Sequence, residues 1–150
     1  MKIGFAASSG GHFEQLMMLK PLMEKYDGFI VTEKTSYEGK TGVRTYTVPQ
    51  VNRKEILMPI KMFIILMKSI SILRKEKPDV IICTGVLAMI PLCLWAKKRG
   101  CKLIYIESFA KVNSPTLSGK LLYKYADRFY VQWKSMLEVY PNAKYLGGIY

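Results

Sequence analysis

Short apolar runs alternate with longer stretches in which apolar residues recur at helical spacing. Lys2–Ala7, Gly28–Thr32, Arg44–Val48, Asp79–Cys83, Lys102–Ile106, Arg128–Val131 and Ala143–Leu146 read as strands. Between them, Phe13–Tyr26, Lys54–Lys75, Met89–Arg99, Leu117–Ala126 and Ser135–Tyr140 read as helices. Strands separated by helices imply an α/β fold, a Rossmann-like open and mostly parallel sheet with helices on both faces. No repeat or composition break interrupts the pattern, so residues 1–150 are expected to form one domain. The polar loop Glu33–Gly42 is expected to be mobile. Ligands of such sheets bind beyond the carboxyl ends of the strands, which makes the turns there the first place to look for chemistry.

Two segments have the apolar density of a membrane span. Val80 to Ala96 runs without a charge, close to the ~20 residues needed to cross a bilayer. Thr84-Gly85 and Pro91 divide it into strand, turn and helix, which fits the alternation better. In Lys54–Lys75, the lysines Lys54, Lys61, Lys68 and Lys75 recur every seven residues and form one basic stripe on a helix. Most of the remaining circumference is Ile, Leu, Met or Phe, more than the ~100° stripe a sheet-packed helix requires. Lysines within the span oppose insertion, at about 2.5–3.5 kcal/mol each near the bilayer centre. The pattern fits best a helix lying in an anionic membrane interface, its lysines reaching the headgroups, with burial between sheet and a partner, or a span, as the alternatives.

Charge strengthens that picture. Lys and Arg number 23 against 11 Asp and Glu, a formal charge of +12, which calls for a polyanionic partner. Half of the residues are apolar, and no RNP-type or arginine-rich signature is present, so a nucleic-acid partner is not expected. Cys83, Cys93 and Cys101 lack metal-ligand spacing and are read as reduced thiols, with no metal or cofactor implied. The first residues enter a strand directly, which predicts no signal peptide.

Three turns at the carboxyl edge carry candidate chemistry. Ser8-Ser9-Gly10-Gly11-His12 joins the first strand to a helix start, where glycines admit close approach and helix N–H groups attract anions. It is neither a dinucleotide fingerprint nor a Walker sequence. Thr84-Gly85 follows the fourth predicted strand and Glu107-Ser108 the fifth. His12, the sole histidine, and Glu107 thus converge on a small-residue cradle suited to proton removal from a hydroxyl beside a bound phosphate.

The stretches PDVIICTG (78–85), PLC (91–93), KLIYIES (102–108), LSGKLLY (117–123), ADRFYVQW (126–133) and YLGGIY (145–150), with Ser9-Gly10-Gly11-His12, carry a family resemblance. Together they resemble the membrane-anchoring subunit of the split N-acetylglucosaminyltransferase of asparagine-linked glycosylation, and its bacterial PssD/CpsF-type relatives in capsule and exopolysaccharide synthesis. The resemblance implies a domain equivalent to the N-terminal, acceptor-side half of a GT-B glycosyltransferase such as MurG. It implies a polyprenyl-diphosphate-linked sugar as acceptor, an anionic membrane surface at the cytoplasmic face of the cell membrane, and a small PssE/CpsG-like catalytic partner that binds the UDP-sugar. By position, Ser9, Gly10, Gly11, Thr84 and Gly85 would hold the acceptor diphosphate, and His12 and Glu107 would activate or orient its hydroxyl. Lys54, Lys61, Lys68 and Lys75 would meet the membrane, and Tyr145, Leu146, Ile149 and Tyr150 would dock the partner. Two departures stand out: Ser8 replaces the first glycine of the family turn, and the N-terminal membrane helix of eukaryotic members is absent from this sequence. A non-catalytic scaffold that recruits and activates a separate catalytic glycosyltransferase at the membrane is the alternative.

Overall fold

A computed structural model describes residues 1–35 and 40–150. Among them, seven strands form one parallel sheet: β1 (Lys2–Ala7), β2 (Asp27–Glu33), β3 (Arg44–Val48), β4 (Val80–Gly85), β5 (Lys102–Ile106), β6 (Arg128–Val131) and β7 (Lys144–Tyr145). Their spatial order is β3-β2-β1-β4-β5-β6-β7, so the chain winds outward from β1 in both directions. The helices are α1 (Gly11–Met17), α2 (Lys20–Lys25), α3 (Met58–Glu76), α4 (Ile90–Lys98) and α5 (Leu117–Leu122). Alternate strand residues feed two cores. Ile3, Phe5 and Ala7 face Leu16 and Met23, while Ala6, Ile81 and Leu103 face Ile65 and Leu92. The expected fold class is borne out.

Several boundaries differ, each for a local reason. The helix expected over Phe13–Tyr26 is two, because Pro21 lacks an N–H and begins a new helix in the first turn of α2. The helix expected from Lys54 starts at Met58 with Pro59 in its first turn, so Lys54 lies before it. It ends where Lys77 takes a left-handed φ of 48° ahead of Pro78. Thr84 and Gly85 are strand residues rather than a turn. The Val80–Ala96 segment is strand, 3₁₀ turn and helix, as its Gly and Pro predict. Glu33 closes β2 and is buried, and positions 36–39 of the loop expected to be mobile lie outside the described residues.

A register shift between β1 and β4 shapes the carboxyl edge of the sheet. Ala6 pairs with Cys83, but Ala7 pairs with Gly85, leaving Thr84 as an extra residue in β4. Such a bulge re-aims the groups it carries, and here it turns Thr84 toward α1.

Glu76, the last residue of α3, is 4% exposed and ties that helix to the sheet. It accepts hydrogen bonds from Arg44 Nε (2.7 Å) and Nη2 (2.8 Å), from Lys2 Nζ (3.2 Å) and from the Tyr46 hydroxyl. Burial pushes its pKa up, but the bonds from Tyr46, Arg44 and Lys2 outweigh burial and hold the carboxyl below its ordinary value. A lowered folded-state pKa contributes stability above the unfolded pKa, and that contribution is lost as pH falls through the folded value. Asp127 is likewise held down, by Lys97 and the Leu103 N–H against its own burial. Urea unfolding of Glu76→Gln should therefore show about 1–3 kcal/mol less stability at neutral pH and a shallower acid dependence, with the Asp127 share remaining.

Candidate functional site at the carboxyl edge of the sheet

Gly10 takes φ +77°, a conformation only glycine adopts without strain, and caps α1 through its carbonyl, which accepts from Phe13 and Glu14. Among the described residues, nothing lies within 4 Å of where a side chain would project from Gly10 or Gly11. The N–H groups of Gly11 and His12 open the helix and have no intrahelical acceptor. The two glycines thus border open space at the sheet edge. Ser9 has its donors engaged: its N–H (3.1 Å) and hydroxyl (3.0 Å) both donate to Glu33 Oε2.

His12 is held by the β4 bulge. Its Nδ1 lies 2.9 Å from the Thr84 carbonyl, and the Thr84 hydroxyl donates to the His12 carbonyl at 2.8 Å. A carbonyl can only accept, so Nδ1 carries the proton and the lone pair of the neutral ring is on Nε2. That is the tautomer a general base requires. Gly85 supports the ring: at φ +112°, an added Cβ would lie 3.2 Å from Nδ1 and 3.3 Å from the Tyr105 hydroxyl. Thr84 and Gly85, expected to cradle a diphosphate, instead orient His12. Both are buried.

Glu107 occupies a different environment. It is fully buried, and its carboxylate accepts from the Ser108 N–H (2.9 Å), the Thr116 N–H (3.2 Å), the Thr116 hydroxyl (2.9 Å) and the Tyr140 hydroxyl (2.8 Å). Thr116 Oγ1 in turn accepts from the Gly119 N–H (2.8 Å) as the N-cap of α5. Burial, and then the bond to Glu107, push the Tyr140 pKa strongly upward. The geometry makes Glu107 the knot that joins β5, α5 and the segment after β6, with its oxygens already saturated. His12 and Glu107 come to the same edge, but only His12 presents an unspent atom.

Beside the glycine turn lies a cleft of about 660 Å³ bordered by Ser9, Glu33, Arg53, Lys111 and Thr116. Glu55 lines the cleft as well, so its formal charges balance. Glu33 is bonded to Ser9 and Val51 and Glu55 is paired with Lys61, whereas Arg53 and Lys111 make no ion pair among the described residues. Glu33 Oε1 also accepts from the Val51 N–H (3.3 Å), tying the Arg53 loop to the turn. Sequence reasoning does not single out Glu33 or Arg53. Both follow carboxyl ends of predicted strands, which is the available signal. Among the described residues, no three His, Cys, Asp or Glu side chains gather to hold a metal ion, and the three cysteines are free and buried.

Next to the cleft, α3 leaves an apolar face uncovered. Ile60, Phe63, Ile64 and Met67 fall on one side of the helix and are 41–63% exposed, with Ile56 and Leu57 exposed just before it. Lys68 and Lys75 border this face. Lys61 pairs with Glu55 at 2.6 Å, and Lys75 lies over the Tyr46 ring at 5.6 Å, so the basic stripe is partly engaged by the protein itself. No helix among the described residues is long and apolar enough to cross a membrane. At the far side, Tyr145, Leu146 and Tyr150 are exposed, whereas Ile149 is half-buried and donates to Gln132. Tyr150 packs edge-on against Phe109.

Solved structures share this architecture at low identity. MurG of Acinetobacter baumannii superposes with a TM-score of 0.74 at 16% identity, over 90% of this chain and 43% of that one. The UDP-N-acetylglucosamine 2-epimerase of Rickettsia bellii gives 0.76 at 14% identity, over 99% of this chain and 45% of that one. The chain thus spans less than half of either, as expected for one half of a GT-B architecture. Among curated relatives, the UDP-N-acetylglucosamine transferase subunit ALG14 of Yarrowia lipolytica is 30% identical, over 97% of this chain and 80% of its own length. Its namesake in Schizosaccharomyces pombe is 37% identical over 69% of this chain and 55% of its own. The human subunit is 34% identical over 54% and 40%. Residues 30–149 match the family described as "Oligosaccharide biosynthesis protein Alg14 like". From the strand that ends in Glu33 to the tail that docks on Gln132, this chain belongs to the Alg14-like family of oligosaccharide biosynthesis proteins.

Proposed function

We propose that this chain is the acceptor-binding, membrane-docked subunit of a two-part glycosyltransferase. The complex adds a sugar from a UDP-sugar to a polyprenyl-diphosphate-linked saccharide at the cytoplasmic face of the cell membrane. The observation that carries the reading is the adjacency of a polar cleft, holding the unpaired cations Arg53 and Lys111, to the exposed apolar face of α3. A ligand with an anionic head and a lipid body needs both at once. In this reading Gly10 and Gly11 approach the diphosphate, and His12 Nε2 accepts the proton of the attacking acceptor hydroxyl. The nucleotide-sugar half comes from a small PssE/CpsG-like partner docked around Tyr145, Leu146, Ile149 and Tyr150. The capsule or exopolysaccharide setting rests on the resemblance to PssD/CpsF-type proteins.

The test is reconstitution with the small partner recovered by gentle-detergent co-purification. Vesicles containing anionic lipid and a polyprenyl-diphosphate sugar should support transfer from a UDP-sugar only when both chains are present. The Ile60→Ser/Phe63→Ser variant should keep its fold and lose at least about tenfold in vesicle binding. Measurable transfer by the partner alone, raised by this chain equally with or without His12, would refute the acceptor-site role. That outcome would instead support the scaffold reading, which the saturated carboxylate of Glu107 already favours over a two-residue catalytic pair.

A further inference from the structure

Three concavities follow one another along one side of the molecule. The polar cleft shares Arg53, Leu87 and Leu117 with a hollow of about 370 Å³. That hollow shares Ile90 with an apolar groove of about 420 Å³ between α3 and α4. Successive turns of α3 carry the path forward: Met58 lines the hollow, and Met62 and Leu66 line the groove. From Met58 to Leu66 this covers about 12 Å of helix. The lining changes character on the way, from carboxylate, amide and cation to aliphatic and aromatic.

We infer that this path is a binding site for the isoprenoid chain of the lipid-linked acceptor, with the diphosphate at the Arg53 end and the first isoprene units in the α3–α4 groove. The inference rests on the acceptor-binding reading above and extends it to the lipid. Two features support one amphipathic ligand over a purely apolar occupant. Arg53 stands at the junction of cleft and hollow, where a phosphate would leave the polar region. Phe63, in turn, belongs both to the groove and to the exposed face of α3, so a chain leaving the groove passes directly into the proposed membrane layer.

The test needs no membrane. Calorimetric titration of the full chain with farnesyl diphosphate and with inorganic pyrophosphate separates tail from head. Farnesyl diphosphate should bind about tenfold tighter or more. Leu94→Glu, which places a charge in the groove, should abolish that advantage and leave pyrophosphate affinity unchanged. Phe63→Ser changes an exposed residue that the fold tolerates, and should reduce the advantage about threefold. Arg53→Ala should weaken both probes. Equal affinity for the two probes overturns the inference while leaving the diphosphate reading of the cleft intact. So does a farnesyl advantage that survives both groove variants. If neither probe binds, the acceptor-binding reading fails and the groove assignment falls with it. If Leu94→Glu fails to fold, Phe63→Ser decides.

Discussion

Glu107→Ala should destabilise the protein by roughly 3–5 kcal/mol, the range for removing one member of a buried charged network. The loss has identifiable parts. Two backbone N–H groups, of Ser108 and Thr116, and two hydroxyls, of Thr116 and Tyr140, would keep their burial and lose their acceptor. Glu107→Gln fills the same volume but turns an NH₂ toward groups that are themselves donors, so it should recover little. Tyr140→Phe removes one bond and should cost about 1 kcal/mol. Gly119→Ala attacks the knot from the other side. A Cβ there would overlap Glu107 Oε2 and come within 2.8 Å of Thr116 Oγ1, and the four donors leave the carboxylate no room to yield. Thermal or urea unfolding of the four variants checks the series. Transfer activity should fall in step with folded fraction. Full stability in Glu107→Ala, with activity abolished, would return Glu107 to a direct role in the reaction.

His12→Ala should behave in the opposite way. The side chain is half-buried and, among the described residues, makes one hydrogen bond, to Thr84 O, so its removal should cost stability only about 1 kcal/mol. Transfer by the assembled complex should fall about 10²–10⁴-fold, the usual contribution of a positioned general base. His12→Gln retains a donor for the Thr84 carbonyl but no basic nitrogen, and should be as inactive as His12→Ala. Gly85→Ala leaves His12 in the sequence yet displaces it. It strains a residue at φ +112° and places a methyl 3.2 Å from Nδ1. It should therefore lower kcat well beyond its effect on vesicle binding, and the acid limb of the pH–rate profile should move. Near-normal transfer by His12→Ala and His12→Gln would remove the base from the mechanism and leave the turn a binding element.

Much of the architecture is legible in the chain because it is written in local periodicity. The short continuous apolar run Ile3–Ala7, buried on both faces of the sheet, marks β1, and the prolines at 21, 59 and 78 mark helix starts and stops. Apolar spacing alone makes Phe13–Tyr26 a single helix, and the missing N–H of Pro21 overrides it. The surplus of apolar surface on Lys54–Lys75 is also visible in the sequence, since a helix packed on one face cannot bury residues all round it. The uncovered side is Ile60, Phe63, Ile64 and Met67. The seven-residue lysine repeat, by contrast, does not foretell that Glu55 and Tyr46 engage two of its members.

By itself the sequence determined the strand–helix alternation, the family membership carried by its motifs, the positive charge and the presence of His12 at a glycine turn. Only the tertiary structure decided which polar groups are spent and which are open. Residue type states what Glu107, Ser9 and Thr84 are able to bond. Their partners depend on inter-strand register and on segments far apart in the chain, with Thr84 72 residues from His12 and Tyr140 33 from Glu107. A single extra residue in β4 turns Thr84 onto His12, and Glu33 reaches Ser9 from the next strand. The path from cleft to groove has the same origin, since it exists only where α3, α4 and α5 are packed side by side on the sheet.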